Sequence, residues 1–186
     1  SKVTDWTGMD NTIPVCWETA GFEREKKITK RAVTNTWEWH ANLQFTGWGD
    51  CPATGTDEQV RIRISEQGTD NSGAGGSAYV GTQALSSADD NDPGVNLSFN
   101  PDGSANRGRV EYVAVHEFGH VLGFVHEQDA PGNEGPGKCT DTVDSSSGAV
   151  PILPYDRDSV MNYCNRDGNM TGLLTDVDIH GVQQVY

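Results

Sequence analysis

Basic residues are scarce in this sequence. Thirteen Lys and Arg stand against 27 Asp and Glu, giving a net charge of −14 and a pI near 4.5. A surface that binds a phosphate backbone needs clustered positive charge, so nucleic acid is not the expected partner. Anionic membrane repels such a chain as well, and the charge serves solubility. Long hydrophobic runs are also missing. No stretch approaches the ~18–20 apolar residues of a membrane span, so no membrane insertion is expected. Cys-x-x-Cys pairs are absent too. The four cysteines, Cys16, Cys51, Cys139 and Cys164, fit two disulfides in an oxidising, secreted setting better than a thiolate metal site. Four cysteines allow three pairings. Cys16–Cys51 with Cys139–Cys164 is the one expected, because each pair then closes within one half of the chain. No internal repeat is visible.

What is present suits a folded domain. The 186 residues include five tryptophans, and a chain of this length can bury roughly 70% of its unfolded surface. A single domain over 1–186 is expected, with a monomer as the default. Thr12–Glu18, Leu43–Trp48, Val60–Ser65, Ser77–Val80 and Val95–Phe99 read as strands. The Gly-, Ser- and Asn-rich run from Gly68 to Gly76 reads as a loop. A helix is expected from Phe22 to about Leu43, with Ile28, Ala32, Val33, Thr36 and Trp37 at helical spacing. A second is expected from Arg109 to Val125, with Val110, Val113, Ala114, Phe118, Val121 and Leu122 as its apolar stripe. The stretch Asp129–Ser147 has no periodicity, and a loop of that length is usually functional or poorly ordered. Thr175 to Tyr186 reads as a last helix, capped by Thr175 with Asp176 and Asp178 in its first turn. A sheet covered by helices, followed by a loop-rich smaller lobe, is the natural arrangement.

One stretch carries chemistry: His116-Glu117-Phe-Gly-His120-Val-Leu-Gly123-Phe-Val-His126. His116 and His120 lie one turn apart on one helix face, where two imidazoles can share a metal ion. Glu117 is beside the first of them, within reach of a water at the metal without binding the metal itself. A glycine at 123 can take positive φ and turn the chain sharply, bringing His126 back to the same point. Three neutral imidazoles leave one position open, which distinguishes a catalytic zinc site from a structural one. His40 and His180 have no ligand spacing. The acidic run Asp89–Asp92 offers oxygens of the kind calcium takes, but without an EF-hand pattern it reads as a solvated loop.

The extended motif HExxHxxGxxH resembles the metzincin zinc signature, and Ser159-Val-Met161-Asn-Tyr163 resembles the Met-turn of that superfamily. Gly123-Phe124-Val-His126-Glu127 and Pro154–Tyr163 resemble astacins most closely, while His116–Gly123 reads much like a matrixin helix. After Glu127 the chain reads Gln128-Asp129-Ala130-Pro131, where astacins usually carry an Arg/Asp-rich stretch.

The resemblance implies an α+β, zincin-like fold: a twisted, mostly parallel sheet with an antiparallel edge strand and two long helices. An upper lobe of about 1–123 is followed by a loop-rich lower lobe, about 124–186, ending in a helix. It implies a secreted zinc endopeptidase with His116, His120, His126 and a displaceable Tyr163 as ligands. By the same resemblance Met161 is expected to form the floor beneath the metal, Glu117 to be the general base for a zinc-activated water, and Tyr163 to be the donor to the developing oxyanion. Protein or peptide substrates are expected to add as a strand along Ser77, Ala78, Tyr79, Val80 and Gly81. Two other readings share the motif: a zinc-stabilised binding module, and a peptidase with one narrow target.

Overall fold

The computed structural model describes residues 5–66, 74–88, 90–100, 106–130, 133, 152–163 and 171–186. Cys139 and Cys164, with most of the long Asp129–Ser147 stretch, lie outside the described residues, as does Asp89.

Six strands form one sheet: β1 (Thr12–Trp17), β2 (Gln44–Asp50), β3 (Gln59–Glu66), β4 (Ala74–Ala78), β5 (Leu85–Ser86) and β6 (Val95–Phe99). Their order is β2-β1-β3-β6-β4, with the short β5 also pairing with β3. The β1–β2, β1–β3 and β3–β6 pairs are parallel, whereas β4 runs antiparallel to β6. This is the mixed, mostly parallel sheet with an antiparallel edge that the sequence led one to expect. Parallel neighbours need crossover connections. α1 (Glu23–Val33) links β1 to β2, and α2 (Arg107–Val121) follows β6.

The alternation in β3 divides its side chains between two faces. Val60, Ile62 and Ile64 are buried in the core. Arg61 and Arg63 alternate with them, and both meet Glu18; Arg63 grips it in two-pronged fashion at 2.9 and 3.1 Å. The expected disulfide between Cys16 and Cys51 is present, joining β1 to the residue that follows β2.

α1 carries Glu23 and Glu25 in its first turn and Lys30 and Arg31 in its last, matching the helix dipole. It then widens into a π turn over Thr34–Glu38. The expected helix to Leu43 is thus shorter and not uniformly α. The extra residue places Trp37 across α2, where its indole N–H donates to the Val115 carbonyl at 2.9 Å. Such π turns accommodate a residue whose packing outweighs regular helix geometry.

The edge strand differs in position from the expectation. It spans Ala74–Ala78, so it includes Gly75 and Gly76 from the run read as a loop. Ser77 and Ala78 lie in it, Tyr79 and Val80 follow it, and Gly81 opens a 3₁₀ turn over Gly81–Ala84. Backbone pairing to β6 defines this strand, with Gly76 opposite Leu97. Glycine lacks strand propensity but has every backbone group a ladder needs. The last helix, α3 (Asp176–Val185), starts as expected from Thr175. No helix among the described residues is long and apolar enough to cross a membrane.

Candidate metal centre

α2 begins with Asn106, whose side chain accepts from the Gly108 N–H at 2.9 Å. It brings His116, Glu117 and His120 into the interior, where all three are buried. The helix stops where the sequence places the glycine. Gly123 has φ of 101°, a conformation that costs a residue bearing a Cβ about 1–2 kcal/mol. Its N–H reaches the His120 carbonyl at 2.8 Å, and the Phe124 N–H reaches that of Gly119 at 3.0 Å. These paired bonds make a Schellman C-cap. The chain reverses, and His126 returns to the two helix histidines. One ring nitrogen from each of the three lies within 4.8 Å of the others.

Each helix histidine is oriented by a backbone carbonyl. His116 Nδ1 lies 2.8 Å from the Val160 oxygen, and His120 Nδ1 lies 2.8 Å from that of Phe124. With Nδ1 as donor in each, both Nε2 atoms are left as lone-pair ligands, the usual arrangement of histidines at metal sites. His116 Nε2 is buried without a hydrogen-bond partner, and His120 Nε2 is 3.1 Å from His126 Nε2. Burial disfavours the charged ring, holding His116 to about 3 and His126 to about 4 and lowering His120. The rings are therefore neutral at pH 7. Three neutral imidazoles around one point, one of them an orphaned buried acceptor, fit a zinc ion.

Glu117 is buried beside this point with one carboxylate oxygen unpartnered. Burial raises its pKa to about 8. Its neighbour is unexpected. A Cβ built on Gly76 would come within 2.7 Å of Glu117 Cγ and 2.8 Å of Oε1. The glycine in β4 therefore gives the carboxylate its room. A second glycine does the same for Met161. A Cβ on Gly119 would meet Met161 Sδ at 2.3 Å, so the methionine presses against the helix between its two histidines.

The Met-turn is tied down from two sides. The Glu127 N–H donates to the Met161 carbonyl at 3.0 Å, linking the loop of the third histidine to it. Asp178 of α3 accepts from Ser159 Oγ at 2.6 Å and from the Val160 N–H at 3.0 Å. The same carboxylate closes a capping box with Thr175. Val160 is the residue whose carbonyl holds His116, so α3 reaches that ring through one residue. Tyr163 stands over the histidines, its ring centre 4.9 Å from that of His116 and 4.4 Å from that of His126. Its N–H donates to the buried Gln128 at 3.2 Å. Burial, then the nearby Glu117 charge, raises its phenol pKa.

Over residues 45–172 the sequence matches the model of "Metallo-peptidase family M12B Reprolysin-like". The chain belongs to this reprolysin-like metallopeptidase family. Solved structures place its fold among the metzincins. Two structures of myroilysin align at 21% identity. They cover 95% of this chain with 93% and 84% of theirs, at TM-scores of 0.63 and 0.62. High choriolytic enzyme 1, a hatching-enzyme zinc protease from Oryzias latipes (medaka fish), aligns at 15% identity. It covers 96% of this chain with 90% of its own, at a TM-score of 0.52. No curated protein sequence matches. The reprolysin-like chain is thus a zinc metallopeptidase of the metzincin fold.

Of the candidate residues, the fold gathers His116, Glu117, His120, His126, Met161 and Tyr163 at one point. His40 and His180 are not in the cluster; His180 is exposed, with Nδ1 against the Asp176 carbonyl of its own helix. In the acidic run, Asp90 accepts from the Ser87 N–H at 2.6 Å and Asp92 from the Tyr79 hydroxyl. Sequence reasoning missed Gly76, Gly119 and Gln128, and it read Asp178 only as a dipole partner. The Thr175-x-x-Asp178 spacing was a signal for the capping box, but nothing local signalled the Met-turn contact.

Proposed function

We propose that this metallopeptidase is a secreted endopeptidase of astacin-like active-site design, cutting internal peptide bonds of protein substrates. The observation that carries the reading is the convergence of three neutral imidazoles beside a buried, half-unpartnered carboxylate. His116, His120 and His126 are the metal ligands. When bound there, zinc supplies Lewis acidity and lowers the pKa of a coordinated water toward ~7.

The protein's own groups do the rest. Glu117, which a cation bound beside it would hold as the carboxylate, takes a proton from the attacking water and delivers it to the departing amine. Its burial, with room left by Gly76, keeps bulk water from competing. Tyr163, in ring contact with His116 and His126, donates its hydroxyl to the oxygen that becomes negative, a role typically worth ~3 kcal/mol. Substrate adds as a strand along β4, where backbone hydrogen bonds supply affinity without demanding one sequence. Gly76 leaves that strand bare of a side chain over the carboxylate. The Cys16–Cys51 disulfide supports an oxidising compartment.

The deciding experiment pairs zinc content with cleavage of casein, using a chelator control and Glu117→Gln. One zinc per chain is expected in both proteins. Cleavage falls by about 10²–10⁴-fold in the variant, the usual range for a lost general base. Loss of zinc from Glu117→Gln overturns its role as base. Zinc in both, with both inert, favours a binding module or a narrow target instead. Tyr163→Phe is expected to lower kcat by about 10²-fold with little change in KM, as read by steady-state kinetics on one peptide.

A further inference from the structure

The histidine-bearing helix ends in carbonyls that its own turn cannot satisfy. Phe118, Gly119 and His120 find partners nearby: their oxygens accept from the N–H groups of Leu122, Phe124 and Gly123. The next two do not. The Val121 carbonyl accepts from the indole N–H of Trp6 at 2.7 Å, and the Leu122 carbonyl from the hydroxyl of Tyr186 at 2.8 Å. The donors are 115 and 64 residues away from their acceptors in sequence. They also meet each other, since the Trp6 backbone N–H donates to the Tyr186 hydroxyl oxygen at 3.5 Å. Trp6 is fully buried. One phenol therefore bridges a remote segment and the helix end.

These two carbonyls sit immediately before Gly123, between the second and third histidines. The turn they anchor sets two ring positions. The Phe124 carbonyl, one residue past the glycine, holds His120 Nδ1, and His126 follows two residues later. A rotation of this turn moves the oxygen that orients His120 and the backbone that carries His126.

We propose that Trp6 and Tyr186 are positioning residues for the metal: together they clamp the end of α2 so that His120 and His126 converge. The proposal rests on the three histidines being ligands. They act through the Val121 and Leu122 carbonyls. Helix-end carbonyls can be satisfied by water at a surface, so a clamp made of two remote side chains specifies position beyond simple satisfaction.

The test is zinc affinity, measured by chelator competition on the full chain, for wild type, Tyr186→Phe, and Tyr186→Phe combined with Trp6→Phe. Tyr186→Phe removes one oxygen and keeps the ring. Thr19→Ala serves as the stability control. It deletes the hydrogen bond that the Ile64 N–H of β3 donates to the Thr19 hydroxyl at 2.9 Å. Zinc Kd is expected to rise about 10-fold in Tyr186→Phe, the lower end of what loss of an outer-shell partner costs. It rises further in the double variant and is unchanged in Thr19→Ala. If Tyr186→Phe and wild type bind zinc equally, or if Thr19→Ala weakens binding as much, the clamp is overturned and the two residues serve the fold alone. If wild type itself binds no zinc, the ligand assignment fails and the clamp with it. Should the double variant not fold, Tyr186→Phe decides alone.

Discussion

Single atoms decide the chemistry at Gly76. Its missing Cβ would sit 2.8 Å from Glu117 Oε1. The obstructed group is the far end of a side chain, so Gly76→Ala displaces the carboxylate and leaves the fold standing. A 1 Å misplacement of a reacting group can cost about 10²-fold. Gly76→Ala is expected to lower kcat by that order while zinc content and thermal midpoint stay near wild type. If kcat is preserved, the carboxylate has room that the geometry does not allow it. The glycine also shows why a loop-like composition can hide a strand: its purpose is the space it leaves.

At the scale of elements, α2 is held from every side by features that are not its own. Trp37 reaches it from the π turn, Met161 lies under Gly119, and α3 holds the Met-turn through Asp178. Gly119→Ala opposes two effects. Alanine favours a helix interior by roughly 0.5–1 kcal/mol, whereas overpacking costs about 1–3 kcal/mol. A Cβ 2.3 Å from Met161 Sδ is far inside contact, and Trp37 closes the other side at 3.3 Å. Overpacking therefore wins. The expected result is a lower urea midpoint together with weaker zinc binding. A variant as stable as wild type would mean that the methionine is free to move aside.

For the whole molecule, the metal-free site sets a pH dependence. Without metal, His116 and His126 are held at about 3 and about 4, below the ordinary 6.5. Their contribution to stability is complete above 6.5 and is lost as pH falls toward 3–4. Glu117 and Glu127 are raised from the ordinary 4.5 to about 8 and about 7, both chiefly by burial. A raised carboxyl pKa has the opposite sign: its contribution is complete below 4.5 and is lost as pH rises through 7–8. In thermal melts, the metal-free protein is therefore expected to be most stable between pH 4.5 and 6.5 and to weaken on either side. Glu117→Gln flattens the alkaline limb. A midpoint that climbs steadily from pH 6.5 to 8 contradicts these assignments. Zinc, binding only the folded state, raises the midpoint in proportion to the logarithm of its concentration once well above Kd.

Local order along the chain was enough to locate the candidate metal-binding residues. Helical spacing puts His116 and His120 on one face, the glycine at 123 ends the helix, and Thr175 caps the last one. Each of these depends on residues within a few positions of one another. Helical and strand periodicity likewise located most elements, because alternation and 3.6-residue spacing record which face is buried. What folding alone decided is long-range contact. Only the folded chain shows that Gly76 makes room for Glu117, that Gly119 admits Met161, and that Asp178 holds Ser159 and Val160. It also brings Trp6 and Tyr186 to the two carbonyls before Gly123. In each case the cause is close packing between segments far apart in sequence, where a missing Cβ or a single donor matters only once its neighbour arrives. The edge strand belongs with them: its glycines carry no pattern, and pairing with β6 is what makes them a strand.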